Sequence, residues 1–145
     1  MSHFRNPDSE RIRALLGEIK TIAVVGLSPR PNRPSFQVSQ AMQGFGYRII
    51  PVRPAVDAVL GERAYPDLYA LPPRLDSGPV DLVNVFRNPN AIAPIVDACI
   101  ALKLPRLWLQ DGVINEAEAL RAQAAGIEVI MNHCIYRDYI VLRCA

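Results

Sequence analysis

Short, solid apolar runs alternate along this chain with longer segments whose apolar residues recur every three or four positions. Ile12, Leu15, Leu16 and Ile19 fall at helical spacing behind Asp8 and Ser9, either of which can cap a helix start. Residues 21–25 then form a β-branched run without polar alternation, the signature of a strand covered on both faces. Val38, Ala41, Met42 and Phe45 mark a second helix, with Pro34 acceptable in its first turn and Gly46 suited to its exit. Residues 47–52 read as a strand ended by Arg53-Pro54. The pattern weakens over 57–77, where Leu60-Gly61 and Pro72-Pro73 act as breakers; a short strand at 63–65 and a helical turn at 67–71 fit there.

Residues 80–86 form the next strand, and Asn88-Pro89 opens a helix striped by Ile92, Ile95, Val96, Cys99 and Leu102. A strand at 106–109 follows. Asn115 with Glu118 three residues on is a capping-box pattern for a helix whose inner face carries Leu120 and Ala124 and which Gly126 ends. Residues 127–131 form a last strand. Strands alternating with helices of this length predict an α/β domain with a doubly wound, Rossmann-like parallel sheet of about five strands. At 145 residues without repeats or linkers, a single domain over 1–145 with its core at about 10–135 is expected.

Charge changes this picture in one respect. A net charge of +2 without a basic run argues against a nucleic-acid arm. Of the 16 basic residues, however, all but Lys20 and Lys103 are arginine, whose planar fork suits phosphate, although genomic composition produces the same bias. Cys99, Cys134 and Cys144 show no paired spacing, as expected of a chain kept in a reducing compartment. The polar stretch 1–10 lacks a signal peptide's apolar segment, and no apolar run approaches the roughly 20 residues of a membrane span. A cytoplasmic protein with no membrane partner is the expectation.

In doubly wound sheets ligands lie beyond the carboxyl ends of the strands, so the residues that follow each strand carry the candidate chemistry. The first strand runs into Gly26-Leu-Ser-Pro-Arg-Pro-Asn-Arg-Pro-Ser35, where a dinucleotide fingerprint would place glycines at 26, 28 and 31 and only Gly26 is present. In its place stands a longer, proline-stiffened loop just ahead of a helix start. There Arg30 and Arg33 can meet phosphates, Ser28 and Ser35 can donate hydroxyl hydrogen bonds, and Pro34 opens the helix. A solvated surface loop would show the same residues with no ligand. The second strand exits through Val52, Arg53 and Pro54. An arginine where an NAD enzyme places a carboxylate favours a ligand with a phosphorylated ribose, NADP or coenzyme A. Phe86 and Arg87 follow the third long strand, and Gln110 and Gly112 the fourth. Arg87 precedes a helix start, Gln110 can bond an amide, and Gly112 permits close backbone approach, although Asp111-Gly112 is equally a simple turn.

Taken together, Val24-Val-Gly-Leu-Ser-Pro29 with Arg33-Pro-Ser35, Gly46-Tyr47 leading to Pro51-Val52, Asp81-Leu-Val with Phe86-Arg87, and Trp108-Leu-Gln110 with Gly112-Val113 carry a resemblance over about residues 10–135. The chain resembles the small single-domain bacterial coenzyme A-binding proteins, relatives of the coenzyme A-binding N-terminal domain of the succinyl-CoA synthetase alpha subunit. The resemblance implies coenzyme A or a short acyl-CoA as ligand. It places Ser28, Arg30, Arg33 and Ser35 at the phosphates, and Arg53 and Pro54 beside the adenosine. It also implies that Phe86 and Arg87 line the cleft and that Gln110 and Gly112 lie toward the pantetheine. Two departures stand out: Arg53 replaces a common Asn, and Met131-Asn-His-Cys-Ile-Tyr-Arg-Asp138 differs from the family's usual ending, so no role carries over to that tail.

No catalytic residues and no metal site are expected. The two histidines are His3, near the terminus, and His133. His133 and Cys134 are neighbours, and neighbours on a strand point to opposite faces, so a thiol–imidazole pair is not expected unless the chain turns sharply, and Cys134 is assigned to packing. The expectation is therefore a non-enzymatic binding or regulatory module for a nucleotide-type small molecule. Two alternatives stay open: a small NADP-dependent oxidoreductase, and a partner-binding subunit that dimerises through an exposed tail, 136–145.

Overall fold

A computed structural model describes residues 3–144. Asp8 caps α1 (Ser9–Glu18), its carboxylate accepting from Arg11 N–H, and Ile12, Leu15 and Leu16 are buried on one side. β1 (Thr21–Val25) leads through the arginine loop to α2 (Pro34–Gly44) and β2 (Arg48–Val52). The weak stretch after β2 folds as a hairpin of two two-residue strands, β3 (Ala58–Val59) and β4 (Glu62–Arg63), where the sequence predicts one strand at 63–65. Tyr65 itself joins β2 in an isolated bridge. The expected helical turn is a 3₁₀ turn, Leu68–Ala70, capped by Asp67. The chain continues through β5 (Leu82–Val85), a second 3₁₀ turn (Pro89–Ala91), α3 (Ile92–Ala101), β6 (Arg106–Leu109), α4 (Glu116–Ala124), β7 (Glu128–Met131) and α5 (Ile135–Arg143).

The sheet is five-stranded and parallel throughout, in the order β2-β1-β5-β6-β7. From β1 the chain first adds β2 on one side and then crosses to add β5 on the other, so the order reverses between β1 and β5. Apolar side chains on one sheet face pack with α1, α2 and α5, including the fully buried Trp108; those on the other face pack with α3 and α4. Cys99 belongs to the second core, where burial pushes its thiol up to about 12. Gly46 and Gly126 sit at positive φ just past α2 and α4, where backbone N–H bonds back into each last turn close the exit the sequence expects.

Three further expectations change. Ala119 and Ala122, not Leu120 and Ala124, form the buried stripe of α4, although the Asn115 cap stands where the sequence places it. Leu102 lies beyond the last turn of α3 and is partly exposed. The segment read as an exposed tail is helix α5, with Ile135 and Asp138 buried and Tyr139 stacked on Phe45 at 4.1 Å and edge-on to Tyr47 at 5.9 Å. Its outer face, with Tyr136, Arg137, Ile140, Val141 and Arg143, is exposed; Ala145 of the predicted tail, like Met1 and Ser2 at the other end, lies outside the described residues.

Both edges of the sheet are partly occupied. On β2, Tyr65 takes the Pro51 carbonyl and the Arg53 N–H. On β7, the Asn6 carboxamide accepts from Met131 N–H at 2.7 Å and donates to Met131 O at 2.9 Å, standing in for a neighbouring strand's peptide.

Candidate functional site

The order reversal between β1 and β5 places the exits of four strands around one cavity of about 840 Å³ at the carboxyl edge of the sheet. A volume of this size lies within the usual range for small-molecule sites. Gly26 is what lets the two central exits meet. Its φ is +86°, and a Cβ there would lie 2.8 Å from the Phe86 carbonyl oxygen. A side chain would therefore be strained and would push the β1 and β5 exits apart.

The loop after β1 is braced from within. Ser35 Oγ accepts from Ser28 N–H at 3.0 Å and Ser28 Oγ from Arg30 N–H at 3.1 Å, so both buried hydroxyl oxygens order the loop. Each hydroxyl keeps its own hydrogen as a donor. Arg33 is the N-cap residue of α2 and makes no side-chain cap bond. Pro34 has no N–H and Gln37 N–H already reaches Arg33 O, so Ser35 and Phe36 carry the open donors of the first turn. The positive end of α2 thus faces the cavity beside two guanidinium groups.

Twelve of the thirteen residues named from the sequence line this cavity: Gly26, Ser28, Arg30, Arg33, Pro34, Ser35, Arg53, Pro54, Phe86, Arg87, Gln110 and Gly112. The thirteenth, Val52, is buried in β2 and lines a smaller adjoining cavity of about 330 Å³. That second space shares Gly26, Arg53, Pro54 and Arg87 with the first and is otherwise walled mainly by apolar groups, among them Leu68, Pro94 and Ile95, with Tyr69 at its rim. Ala55, Val56, Asn88, Pro89 and Val113 complete the larger wall, positions that only the fold brings in.

The electrostatics are one-sided. Arg30, Arg33, Arg53 and Arg87 have no carboxylate within ion-pair distance among the described residues, while the one carboxylate lining the cavity, Asp111, is held by a bidentate contact to Arg137 at 2.8 Å for both oxygens. That guanidinium keeps the Asp111 carboxyl below its usual range, so it stays ionised and engaged at neutral pH. The four cavity arginines are left with an uncancelled positive field.

The end of β7 also reaches this region, which the sequence reading left unassigned. After Met131 the chain turns through Asn132 at φ +61°, Asn132 Oδ1 accepts from Gly112 N–H at 2.8 Å, and His133 N–H reaches Leu109 O. Trp108 Nε1 donates to His133 O at 2.9 Å. The chain does turn sharply here, but His133 Nδ1 pairs with Asp138 at 2.7 Å, and Cys134 takes the N-cap position of α5 without a side-chain cap bond. Helix α5 therefore straps the β6 exit in place. A stripe was present to find it: Ile135, Tyr139 and Leu142 at helical spacing. At the far end of the sheet, Asp81 accepts from Lys20 and Thr21 N–H at 2.8 and 3.0 Å, away from the cavity. Among the described residues, no helix is long and apolar enough to cross a membrane, and no group of three His, Cys, Asp or Glu is placed to hold a metal ion.

The family described as CoA binding domain matches residues 20–139, and the chain belongs to that family. The uncharacterized protein YneT of Bacillus subtilis (strain 168) is 40% identical over 131 residues, spanning 90% of this chain and 93% of that protein. A hypothetical protein from Pyrococcus horikoshii OT3 superposes with a TM-score of 0.87 at 29% identity, over 98% of this chain and 99% of the other. The Thermus thermophilus protein solved as cell-free ID.343 gives a TM-score of 0.84 at 34% identity, over 94% and 99%.

Proposed function

We propose that the protein binds coenzyme A or a short acyl-CoA across the carboxyl edge of the sheet and acts as a binding or regulatory module without covalent chemistry of its own. The observation that carries this reading is the set of four arginines on one cavity without a carboxylate partner among the described residues, in a chain that belongs to a CoA binding domain family. Three phosphate groups of one ligand give those charges their partners, and the open N–H groups of α2 add neutral donors.

The sheet order supplies the layout. Arg53 lies at the β2 exit, Arg30 and Arg33 follow β1, Phe86 and Arg87 follow β5, and Gln110 ends the β6 side. At about 4.8 Å per strand, β2 to β6 spans roughly 14 Å, which suits an extended ligand running from adenosine through pyrophosphate to pantetheine. The smaller cavity behind Arg53 suits the base, with Arg53 on the ribose phosphate. The engagement of Asp111 by Arg137 supports a non-catalytic role, since it occupies the cavity's carboxylate.

Calorimetric titration of ligand-stripped protein with coenzyme A, 3′-dephospho-coenzyme A and NADPH tests the reading. Coenzyme A should bind, and loss of the 3′-phosphate should weaken it roughly ten- to a hundredfold, the worth of one charge-assisted contact. Binding of NADPH in preference to coenzyme A would move the protein to the oxidoreductase alternative, and binding of none of the three would overturn the reading.

A further inference from the structure

Asn84 stands among apolar neighbours. It is the third residue of β5, opposite Val24 of β1 and Trp108 of β6, between Val83 and Val85, and 2% exposed. A buried carboxamide in such surroundings costs free energy unless it is bonded. Asn84 makes its bond sideways and upward: its Oδ1 accepts from Gln110 Nε2 at 2.7 Å, inside the protein. Asn84 and Gln110 lie on the same face of the sheet, because Gln110 is two residues beyond Trp108, the register partner of Asn84.

Gln110 has nothing else to offer a ligand but this side chain. Its N–H is taken by Val85 O at 3.3 Å and its carbonyl by Val113 N–H at 2.9 Å. The carboxamide lines the large cavity, and the bond to Asn84 uses one of its two N–H donors. Oε1 and the second N–H have no protein partner among the described residues, and Oε1 is not among the buried unpartnered atoms. The bond therefore restrains an amide that keeps one acceptor and one donor uncommitted on the β6 side of the cavity, the strand exit farthest from Arg53 on β2. A fixed acceptor–donor pair matches a secondary amide, and the pantetheine arm of coenzyme A carries two, whereas its nucleotide portion carries none.

We propose that Asn84 is a positioning residue that holds the Gln110 carboxamide to read an amide of the pantetheine arm, so that the site selects pantetheine-bearing nucleotides over nucleotides that end at their phosphates. This rests on the coenzyme A reading above. Sites built to bond an amide reject ligands that lack one, because their buried polar groups are then left unpaired.

The test is a titration of the wild type and of Asn84→Leu, Asn84→Asp, Gln110→Ala and the Asn84→Leu/Gln110→Ala double variant, each with coenzyme A and with adenosine 3′,5′-bisphosphate, which lacks the arm. Asn84→Leu should weaken coenzyme A about three- to tenfold, the worth of one neutral hydrogen bond, and leave the bisphosphate unchanged. Asn84→Asp, whose carboxyl burial favours in the neutral form, keeps an acceptor for Gln110 Nε2 and should recover part of the coenzyme A affinity lost in Asn84→Leu. The double variant should be no weaker than Gln110→Ala alone, since Asn84 acts through Gln110. Equal losses on both ligands, an unchanged coenzyme A affinity, or additive losses in the double variant would each overturn the inference while leaving the coenzyme A reading intact. A wild type that binds neither ligand would overturn both. Should Asn84→Leu fail to unfold cooperatively, Asn84→Ala takes its place under the same criteria, and a Gln110→Ala loss shared equally by both ligands removes the inference.

Discussion

At the amino end of the strands, arginines are matched to carboxylates. Arg11 reaches Glu128 at 2.7 Å and Glu18 at 3.0 Å, Arg106 lies within 4 Å of the same two glutamates, and Arg48 joins Glu62 and Asp76. At the carboxyl end, Arg30, Arg33, Arg53 and Arg87 surround a cavity with no such partners among the described residues. The same residue type thus closes one end of the sheet and leaves the other charged. Position relative to the strand ends, rather than the count of arginines, separates the two uses: a guanidinium neutralised within the fold contributes to stability, and one left unneutralised at a cavity favours an external anion.

The sharpest way to break this comparison is to remove charge from the cavity. Arg33→Ala combined with Arg53→Ala should lower coenzyme A affinity on the order of a hundredfold or more, by the worth of two charge-assisted contacts. Its thermal midpoint should stay close to wild type. Calorimetry paired with thermal unfolding reads both, and a midpoint that falls along with affinity would make these arginines structural. Gly26→Ala is the next largest: the left-handed φ and the 2.8 Å approach to Phe86 O should cost about 1–3 kcal/mol in urea unfolding. It should also weaken ligand binding, since the β1 and β5 exits must separate.

The smallest effect belongs to the amino end. Glu128→Gln should cost about 0.5–1 kcal/mol and leave coenzyme A affinity unchanged. Arg11 holds the Glu128 carboxyl below its usual 4.5. Its stabilising contribution is therefore complete above pH 4.5 and is lost as the pH falls through the depressed value. In acid titrations followed by the fluorescence of Trp108, the single tryptophan, the Gln variant should show a flatter loss of stability below pH 4.5. A wild-type and a variant curve of equal steepness would remove the ion pair from the account.

The elements that bury a regular stripe were legible in the sequence: the five sheet strands and α1 to α4, together with the strand exits that converge on the cavity. Twelve of the named residues meet there because strand ends are local features, and a parallel sheet gathers them at one edge. Helix α5 was missed, although Ile135, Tyr139 and Leu142 lie at helical spacing. Its N-cap is Cys134, which makes no side-chain cap bond, and its inner face carries a charged residue, Asp138, buried where His133 Nδ1 meets it at 2.7 Å. Ser28 and Ser35 illustrate a second limit: sequence offers their hydroxyls to a ligand, but only the folded loop shows their oxygens accepting from its own backbone. Asn84 was hidden for a related reason. Within an apolar strand it is a single polar residue, and its partner lies 26 residues away.

The borrowed pairings at the margins of the sheet have a consequence for the protein in crowded solution. Strands at a sheet's rim are where one molecule can stitch itself onto the next and begin a fibre. Here a newcomer would have to evict Tyr65 from β2, or prise the Asn6 carboxamide from Met131. The carboxamide of Asn6 thereby blunts one edge of the sheet, a duty unrelated to any ligand.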